Sequence, residues 1–117
     1  MDKKQRGNFG EELVAQRLRE LKFNVVKCNV HTRYGELDVV AIRNGVLHII
    51  EVKARSTRAF GFEETVTQKK LRKIILAVHD AHAKHLIPKG AWCIDVAFVW
   101  LGDPNAIQIK WVWNVGL

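Results

Sequence analysis

Residues 35–53, GELDVVAIRNGVLHIIEVK, form a sequence typical of a β-hairpin. Runs rich in Val, Ile and Leu lie on both sides of Asn44-Gly45, the strongest short-range signal for a two-residue type I′ turn. A turn of this kind fixes the register of the two antiparallel strands, with Val40 opposite Ile49. The sequence therefore predicts a hairpin whose apolar pairs lie near the turn.

The same register brings charged side chains together further from the turn. Asp38 lies opposite Glu51, and directly opposed side chains have Cβ atoms roughly 4.5–5.5 Å apart. Lys53 shares their face because strand side chains alternate, and it lies opposite Glu36. Two close carboxylates repel each other unless a proton or a cation lies between them, and Mg²⁺ selects such oxygen ligands. The hairpin alone predicts either a metal site or a structural cluster of charges.

Length and charge restrict the class of protein. The chain has 117 residues, enough for one domain, and 19 Lys and Arg against 12 Asp and Glu give a net charge of +7. This balance favours a polyanionic partner, nucleic acid before a membrane, although a merely basic protein would also show it. The N-terminal sequence MDKKQRGNFGEE lacks the apolar segment of a secretion signal. We therefore expect a cytoplasmic protein that does not bind a membrane.

The cysteines and histidines give no metal-binding pattern by their spacing. Cys28 and Cys93 lie far apart in strand-like runs, which argues against a zinc site or a disulfide framework. We predict two buried free thiols, as is usual in a reducing cytoplasm. Three histidines of the second helix lack a converging carboxylate, so we predict structural roles for His79, His82 and His85.

The remaining pattern predicts the order helix, three strands, helix, two strands in one α/β domain. Asn8 is predicted to cap a first helix over residues 9–22, and Thr67 to cap a second helix that ends near His85. Further strands are predicted over residues 23–30, 91–101 and 106–115, the last at an edge. The last two strands hold all four tryptophans. Packing in the core is the favoured role for these, with base stacking or a protein partner as alternatives.

Two further groups of residues could serve a functional surface. Glu11 lies at the edge of the apolar stripe of the first helix, although a favourable interaction with the helix dipole would by itself explain an acid there. Cations crowd the loop after the hairpin and the first turns of the second helix, where they oppose the dipole. They are either solvated or bind phosphates. The candidate nucleic-acid-binding residues are Arg55, Arg58, Lys69, Lys70 and Lys73.

Taken in order, these residues resemble the YraN-like family of small bacterial proteins, within the PD-(D/E)XK nuclease superfamily beside archaeal Holliday-junction resolvases. The resemblance covers roughly residues 7 to 100. Two departures fall in nucleic-acid-contact positions, at His31 and at Cys93-Ile94-Asp95. The matching motifs are Gly10-Glu11, Asn29, Gly35-Glu36-Leu37-Asp38, Glu51-Val52-Lys53, Arg55, Phe60-Gly61, Val66-Thr67 and Lys70.

The resemblance implies a restriction-endonuclease-like α/β core, in which helices flank a mixed central β-sheet in the order αβββαββ. Residues 1–117 would form a single nuclease-like domain. The implied activity is a Mg²⁺- or Mn²⁺-dependent endonuclease acting on DNA, with branched or damaged DNA as candidate substrates. Asp38, Glu51 and Glu11 would be the catalytic metal ligands, with Lys53 near the attacking water. The alternative is a nucleic-acid-binding module without cleavage activity, and a homodimer is a further candidate assembly.

Overall fold

The computed structural model describes residues 1–56, 66–103 and 105–115. Within these ranges the chain forms two helices and five strands, in the predicted order αβββαββ. The elements are α1 (Lys3–Glu20), β1 (Asn24–Thr32), β2 (Gly35–Arg43), β3 (Val46–Arg55), α2 (Gln68–Ala83), β4 (Trp92–Trp100) and β5 (Gln108–Val112).

The five strands form one mixed sheet in the order β1-β2-β3-β4-β5. Neighbouring strands are antiparallel except β3 and β4, which are parallel and are connected through α2. Separate apolar clusters cover the two faces, with Val14 and Leu18 of α1 in one cluster and Leu71 and Val78 of α2 in the other. This arrangement confirms the predicted restriction-endonuclease-like α/β fold.

The turn at Asn44-Gly45 fixes the hairpin as predicted. Both turn residues have positive φ, 52° and 76°, as a type I′ turn requires. Val40 pairs with Ile49, but the β2–β3 ladder ends at the pair Val39–Ile50. The predicted pairing of Asp38 with Glu51 would be the next step and lies beyond that end.

The predicted pairing of Lys53 with Glu36 is wrong for the same reason. β2 has left β3 before it reaches Glu36, which instead pairs with His31 of β1. The backbone of Lys53 pairs on its other side with Phe98 of β4.

Helix α1 begins six residues before the predicted start, so the prediction that Asn8 caps it is wrong. Asp2 is the N-cap: its Oδ1 accepts a hydrogen bond from the backbone N–H of Gln5 at 2.8 Å. The Gln5 side chain accepts one in return from the Asp2 N–H at 2.9 Å. This capping box outweighs the lack of an apolar pattern at residues 3–8. The predicted cap of α2 is confirmed, since Thr67 Oγ1 accepts from the Lys70 N–H.

The two cysteines differ in exposure, against the prediction that both are buried. Cys93 is buried in β4, whereas Cys28 is exposed on the edge strand β1. Trp92 and Trp111 pack against the core as predicted, but Trp113 is 43% exposed. Neither helix of the described ranges combines the length and apolarity needed to cross a membrane.

A glycine sets the distance between α1 and β3. A Cβ atom at Gly10 would lie 2.8 Å from Ala54 Cβ and 3.5 Å from Val52 Cγ1. The short alanine side chain cannot rotate away from this contact. Gly10 therefore allows α1 to approach β3 closely, and it places the next residue, Glu11, beside the second half of that strand.

We predict that Gly10→Ala lowers the free energy of unfolding. Alanine favours a helix over glycine by about 1 kcal/mol, but the clash with Ala54 costs typically about 1–3 kcal/mol in a packed core. Thermal or urea unfolding of the full chain would measure the difference.

Gly7→Ala is the matched control, because the same helix contains Gly7 and no atom lies within 4 Å of a Cβ built there. This variant should be as stable as the wild type or more so. Equal stabilisation by both substitutions would contradict the close approach at Gly10.

Candidate metal centre

The candidate site lies in the fork, the gap that opens between β2 and β3 beyond the pair Val39–Ile50. In the alternating ladder, the next β3 amide that faces β2 belongs to Val52. Its N–H donates a hydrogen bond to Asp38 Oδ2 at 2.8 Å. The Asp38 side chain thus replaces the missing strand as acceptor, which fixes a carboxylate inside the fork.

Glu51 and Lys70 supply the second carboxylate and its cationic partner. The Glu51 side chain is only 11% exposed, and its Oε1 lies 3.2 Å from Nζ of Lys70. Lys70 comes from the first turn of α2, so this helix contributes to the fork from one face of the sheet. Lys53 follows two residues after Glu51 on the same strand face and is partly buried.

Glu11 reaches the same region from α1, on the other side of the sheet. Its carboxylate accepts a hydrogen bond from the side chain of Asn29 on β1. The second oxygen, Oε2, is buried and has no hydrogen-bond partner among the described residues. A buried acceptor of this kind costs free energy unless a ligand satisfies it.

The three carboxylates interact electrostatically. Burial, followed by the negative charge of Glu51, raises the pKa of Asp38 to about 8, although the Val52 N–H and Lys70 act in the opposite direction. Burial also raises the pKa of Glu11, to which the charges of Glu36 and Glu51 contribute. The positive charge of Lys70 therefore does not balance the acids of the fork.

This donor set fits a hard divalent cation. Glu11, Asp38 and Glu51 offer only oxygen atoms, which Mg²⁺ and Mn²⁺ prefer. The unpartnered Oε2 of Glu11 and the raised pKa of Asp38 are both relieved by a positive charge in the fork. The residues present could therefore hold the metal that the resemblance implies.

The predicted nucleic-acid-binding residues that the structure describes have three different settings. Arg55 ends β3, and its guanidinium donates to the Ala54 carbonyl at 3.1 Å. Lys69 and Lys73 are exposed on the first turns of α2, whereas Lys70 contacts Glu51. Arg58, like the Phe60-Gly61 motif, lies outside the described residues.

Asn29, whose side chain bonds to Glu11, is a site residue that the sequence motifs contain but for which they predict no role. Asn29 has φ of 53°, in the left-handed region that asparagine tolerates better than most residues. The signal available in the sequence was a polar asparagine within a run of strand-forming residues. Asn29 and Glu11 line a cleft of about 520 Å³ between α1 and β1, which gives access to the acidic cluster from that side.

Fold and site together define a class: a small α/β protein with a restriction-endonuclease-like core and an acidic cluster in the fork of its sheet. The model of the uncharacterised protein family UPF0102 matches residues 10–99. The chain belongs to this family, which confirms the resemblance to the YraN-like proteins.

Relatives from several bacteria share the family name. A UPF0102 protein of Dichelobacter nodosus is 38% identical over 116 residues, covering 98% of this chain and 91% of the relative. One from Helicobacter hepaticus is 31% identical over 108 residues, covering 92% and 96%. One from Sulfurihydrogenibium is 40% identical over 76 residues, covering 64% and 66%. These names state the family and no activity.

We predict that Asp38→Asn stabilises the metal-free protein increasingly as pH rises. The pKa of Asp38 is higher in the folded than in the unfolded state, so folding binds a proton between about pH 4 and 8 and the free energy of unfolding falls across that window. Each unit of pKa shift corresponds to about 1.4 kcal/mol. Asparagine stays neutral and can still accept from the Val52 N–H. Thermal unfolding with a chelator, at several pH values, measures the effect.

Glu12→Gln is the control, since Glu12 is exposed and lies next to Glu11 on the same helix. Its melting temperature should follow the wild-type pH profile. A constant difference between Asp38→Asn and wild type at all pH values would show that Asp38 is not strained by its burial.

Proposed function

We propose that this protein is a cytoplasmic, metal-dependent endonuclease that hydrolyses phosphodiester bonds in DNA. The observation that supports this function is the convergence of Glu11, Asp38 and Glu51 on one fork from three different elements, next to a lysine on the same strand. A purely structural role does not require a third acid, Glu51, whose charge raises the pKa values of both Asp38 and Glu11.

The three carboxylates would hold one or two Mg²⁺ or Mn²⁺ ions. When bound, such an ion supplies a Lewis acid that polarises a phosphoryl oxygen and lowers the pKa of a water. The hydrogen bond from Val52 orients Asp38, and the one from Asn29 orients Glu11. Lys70 offsets part of the charge of Glu51 and thereby lowers the repulsion that an approaching phosphate would meet.

Lys53 is the candidate catalytic cation. It is partly buried on the strand face that carries Glu51, so its ammonium group and the carboxylate are kept on one side of β3. A fixed positive charge there stabilises the negative charge that develops on the phosphate during hydrolysis. It would also hold the attacking water.

DNA is the proposed substrate because cations surround the acidic cluster. Arg55 lies on β3, Lys69 and Lys73 lie on α2, whose Lys70 contacts Glu51, and the chain carries a net charge of +7. Phosphate contacts from such residues position a duplex without reading its sequence. Branched or damaged DNA is the proposed form. The homodimer stays a prediction.

We predict that Lys53→Met lowers DNA cleavage by about 10²–10³-fold, the usual effect of removing one group that stabilises transition-state charge. Methionine keeps most of the apolar stem, so Mn²⁺ binding and DNA binding should remain within a few-fold of wild type. Cleavage is measured on linear, nicked, flapped and four-way DNA, and metal binding by calorimetry.

Two controls make the result interpretable. Asp38→Ala should abolish Mn²⁺ binding at the fork, and Lys89→Met, which removes an exposed charge beyond α2, should cleave as wild type does. Wild-type protein that binds Mn²⁺ and DNA but cuts none of these substrates would instead identify a binding module. Equal cleavage by Lys53→Met and wild type would show that Lys53 has no catalytic role.

We predict that DNA affinity falls steeply with salt and that Lys73→Glu weakens it for all sequences alike. Each lost phosphate contact lowers the slope of log affinity against log salt by about 0.9 for duplex DNA. Fluorescence anisotropy with duplex and four-way DNA measures both quantities.

Lys89→Glu changes the net charge by the same amount at a site remote from the first turns of α2, and it serves as the matched control. The two variants should differ in slope and in affinity at low salt. Equal losses for both would mean that only total charge matters and that α2 is not the DNA-binding surface.

A further inference from the structure

A second group of potential metal ligands lies towards the hairpin end of the sheet, away from the fork. His48 on β3 pairs with Cys93 on β4 in the parallel register, and Ile50 pairs with Asp95. By strand alternation, all three polar side chains lie on the face that α1 covers, because Ile50 belongs to the apolar cluster of α1. Glu51 and Lys53 occupy the opposite face of β3.

The three side chains converge on one point. His48 Nδ1 lies 2.6 Å from Asp95 Oδ2 and 3.2 Å from Cys93 Sγ, and Cys93 Sγ lies 3.9 Å from both oxygens of Asp95. A potential ligand atom from each residue lies within 4.8 Å of the other two.

This convergence differs from a catalytic relay. In a Cys-His-Asp relay, the thiol and the carboxylate contact different ring nitrogens of the histidine. Here both contact Nδ1 of His48, so the imidazole cannot pass a proton from one to the other. Burial and the neighbouring Asp95 also raise the pKa of the Cys93 thiol to about 11, which disfavours a nucleophile.

We propose that His48 Nδ1, Cys93 Sγ and a carboxylate oxygen of Asp95 form a binding site for Zn²⁺ or a similar transition-metal ion. Ligand atoms around a tetrahedral Zn²⁺ are roughly 3.3–3.6 Å apart, as follows from bond lengths of about 2.0–2.3 Å. The present separations require shifts of less than about 1 Å to reach that geometry. The nitrogen and sulfur donors favour zinc over magnesium. Binding would release the thiol proton to solvent.

The surroundings orient these ligands. The backbone N–H of Asn114 donates to Asp95 Oδ1 at 2.9 Å, which holds the fully buried carboxylate and leaves Oδ2 directed at His48. Phe23 and Trp113 meet the imidazole edge to face, with ring centroids 5.0 and 6.2 Å away. Such supporting contacts are what fixes ligand orientation in metal sites.

A cleft provides access from solvent. It has a volume of about 580 Å³, and His48, Cys93, Phe23 and Trp113 all line it. An ion can therefore reach the thiol and the imidazole, and a water from the cleft can fill the fourth position. Three protein ligands with one open position are typical of zinc sites that bind an exogenous ligand.

Cobalt titration of the full chain tests the site, because a thiolate ligand gives Co²⁺ an intense charge-transfer band in the near ultraviolet. Mg²⁺ is kept in excess to occupy the fork. Wild type and Asp38→Ala should show the band at one equivalent, and Zn²⁺ should remove it. Cys93→Ser should lack the band, whereas Cys28→Ser, the matched control at the other cysteine, should keep it.

Thiol reactivity gives a second readout that does not depend on how Cys93→Ser folds. The Cys28→Ser variant retains Cys93 as its one thiol. Zn²⁺ should slow the modification of this thiol by a thiol-reactive dye at least about tenfold, because a metal-bound sulfur is no longer free to react. His48→Gln in the same background should lose this protection.

Absence of the cobalt band in wild type would overturn the proposal. So would a band that persists in Cys93→Ser, or modification of Cys93 at the same rate with and without Zn²⁺. Because none of these readouts involves DNA, their outcome is independent of whether the fork cleaves a phosphodiester.

Discussion

The hydrogen bond from the Val52 N–H to Asp38 is the interaction on which the fork depends. When β2 leaves β3 after Val39–Ile50, the next inward amide loses its strand partner. An unsatisfied buried amide costs about 1–3 kcal/mol. Asp38 meets that need with one oxygen, and a carboxylate can accept through both. The residue that stabilises the opening of the sheet is thus also the one that places a charge inside it.

Bringing three carboxylates together in the fork costs electrostatic free energy. Glu51 lies on the strand that binds Asp38, and Gly10 lets α1 approach closely enough to bring Glu11 alongside. Burial and mutual repulsion therefore act on the same three acids, as the raised pKa values of Asp38 and Glu11 show. A structure selected only for stability would place Asn or Gln there, since both make the same backbone contacts without charge. The repulsion among these acids is explained if a cation normally balances their negative charge.

Local signals in the sequence predicted the hairpin and the acidic residues of the fork. The other features depend on pairing between strands, which local signals do not show. Asn44-Gly45 fixes the register by itself, so Val40–Ile49 followed from two residues. No local pattern marks where β2 leaves β3, because both strands continue past that point, β2 from Gly35 and β3 to Arg55. The position of Cys93 beside His48 depends on the parallel pairing of β3 with β4, through a connection that contains α2. A rule based on cysteine spacing along the chain cannot detect ligands brought together across strands.

Strand β3 carries residues of both proposed sites, and the alternation of its side chains keeps them apart. His48 and Glu51 are an odd number of residues apart, so their side chains leave the strand on opposite faces. On one face β3 carries Glu51 and Lys53, whose carboxylate and ammonium groups suit a hard cation and phosphate. The other presents nitrogen and sulfur donors, which suit a softer ion. The donor chemistry therefore differs as well as the face, and Mg²⁺ in particular competes weakly for nitrogen and sulfur ligands. A substitution at one proposed site therefore leaves the ligands of the other in place.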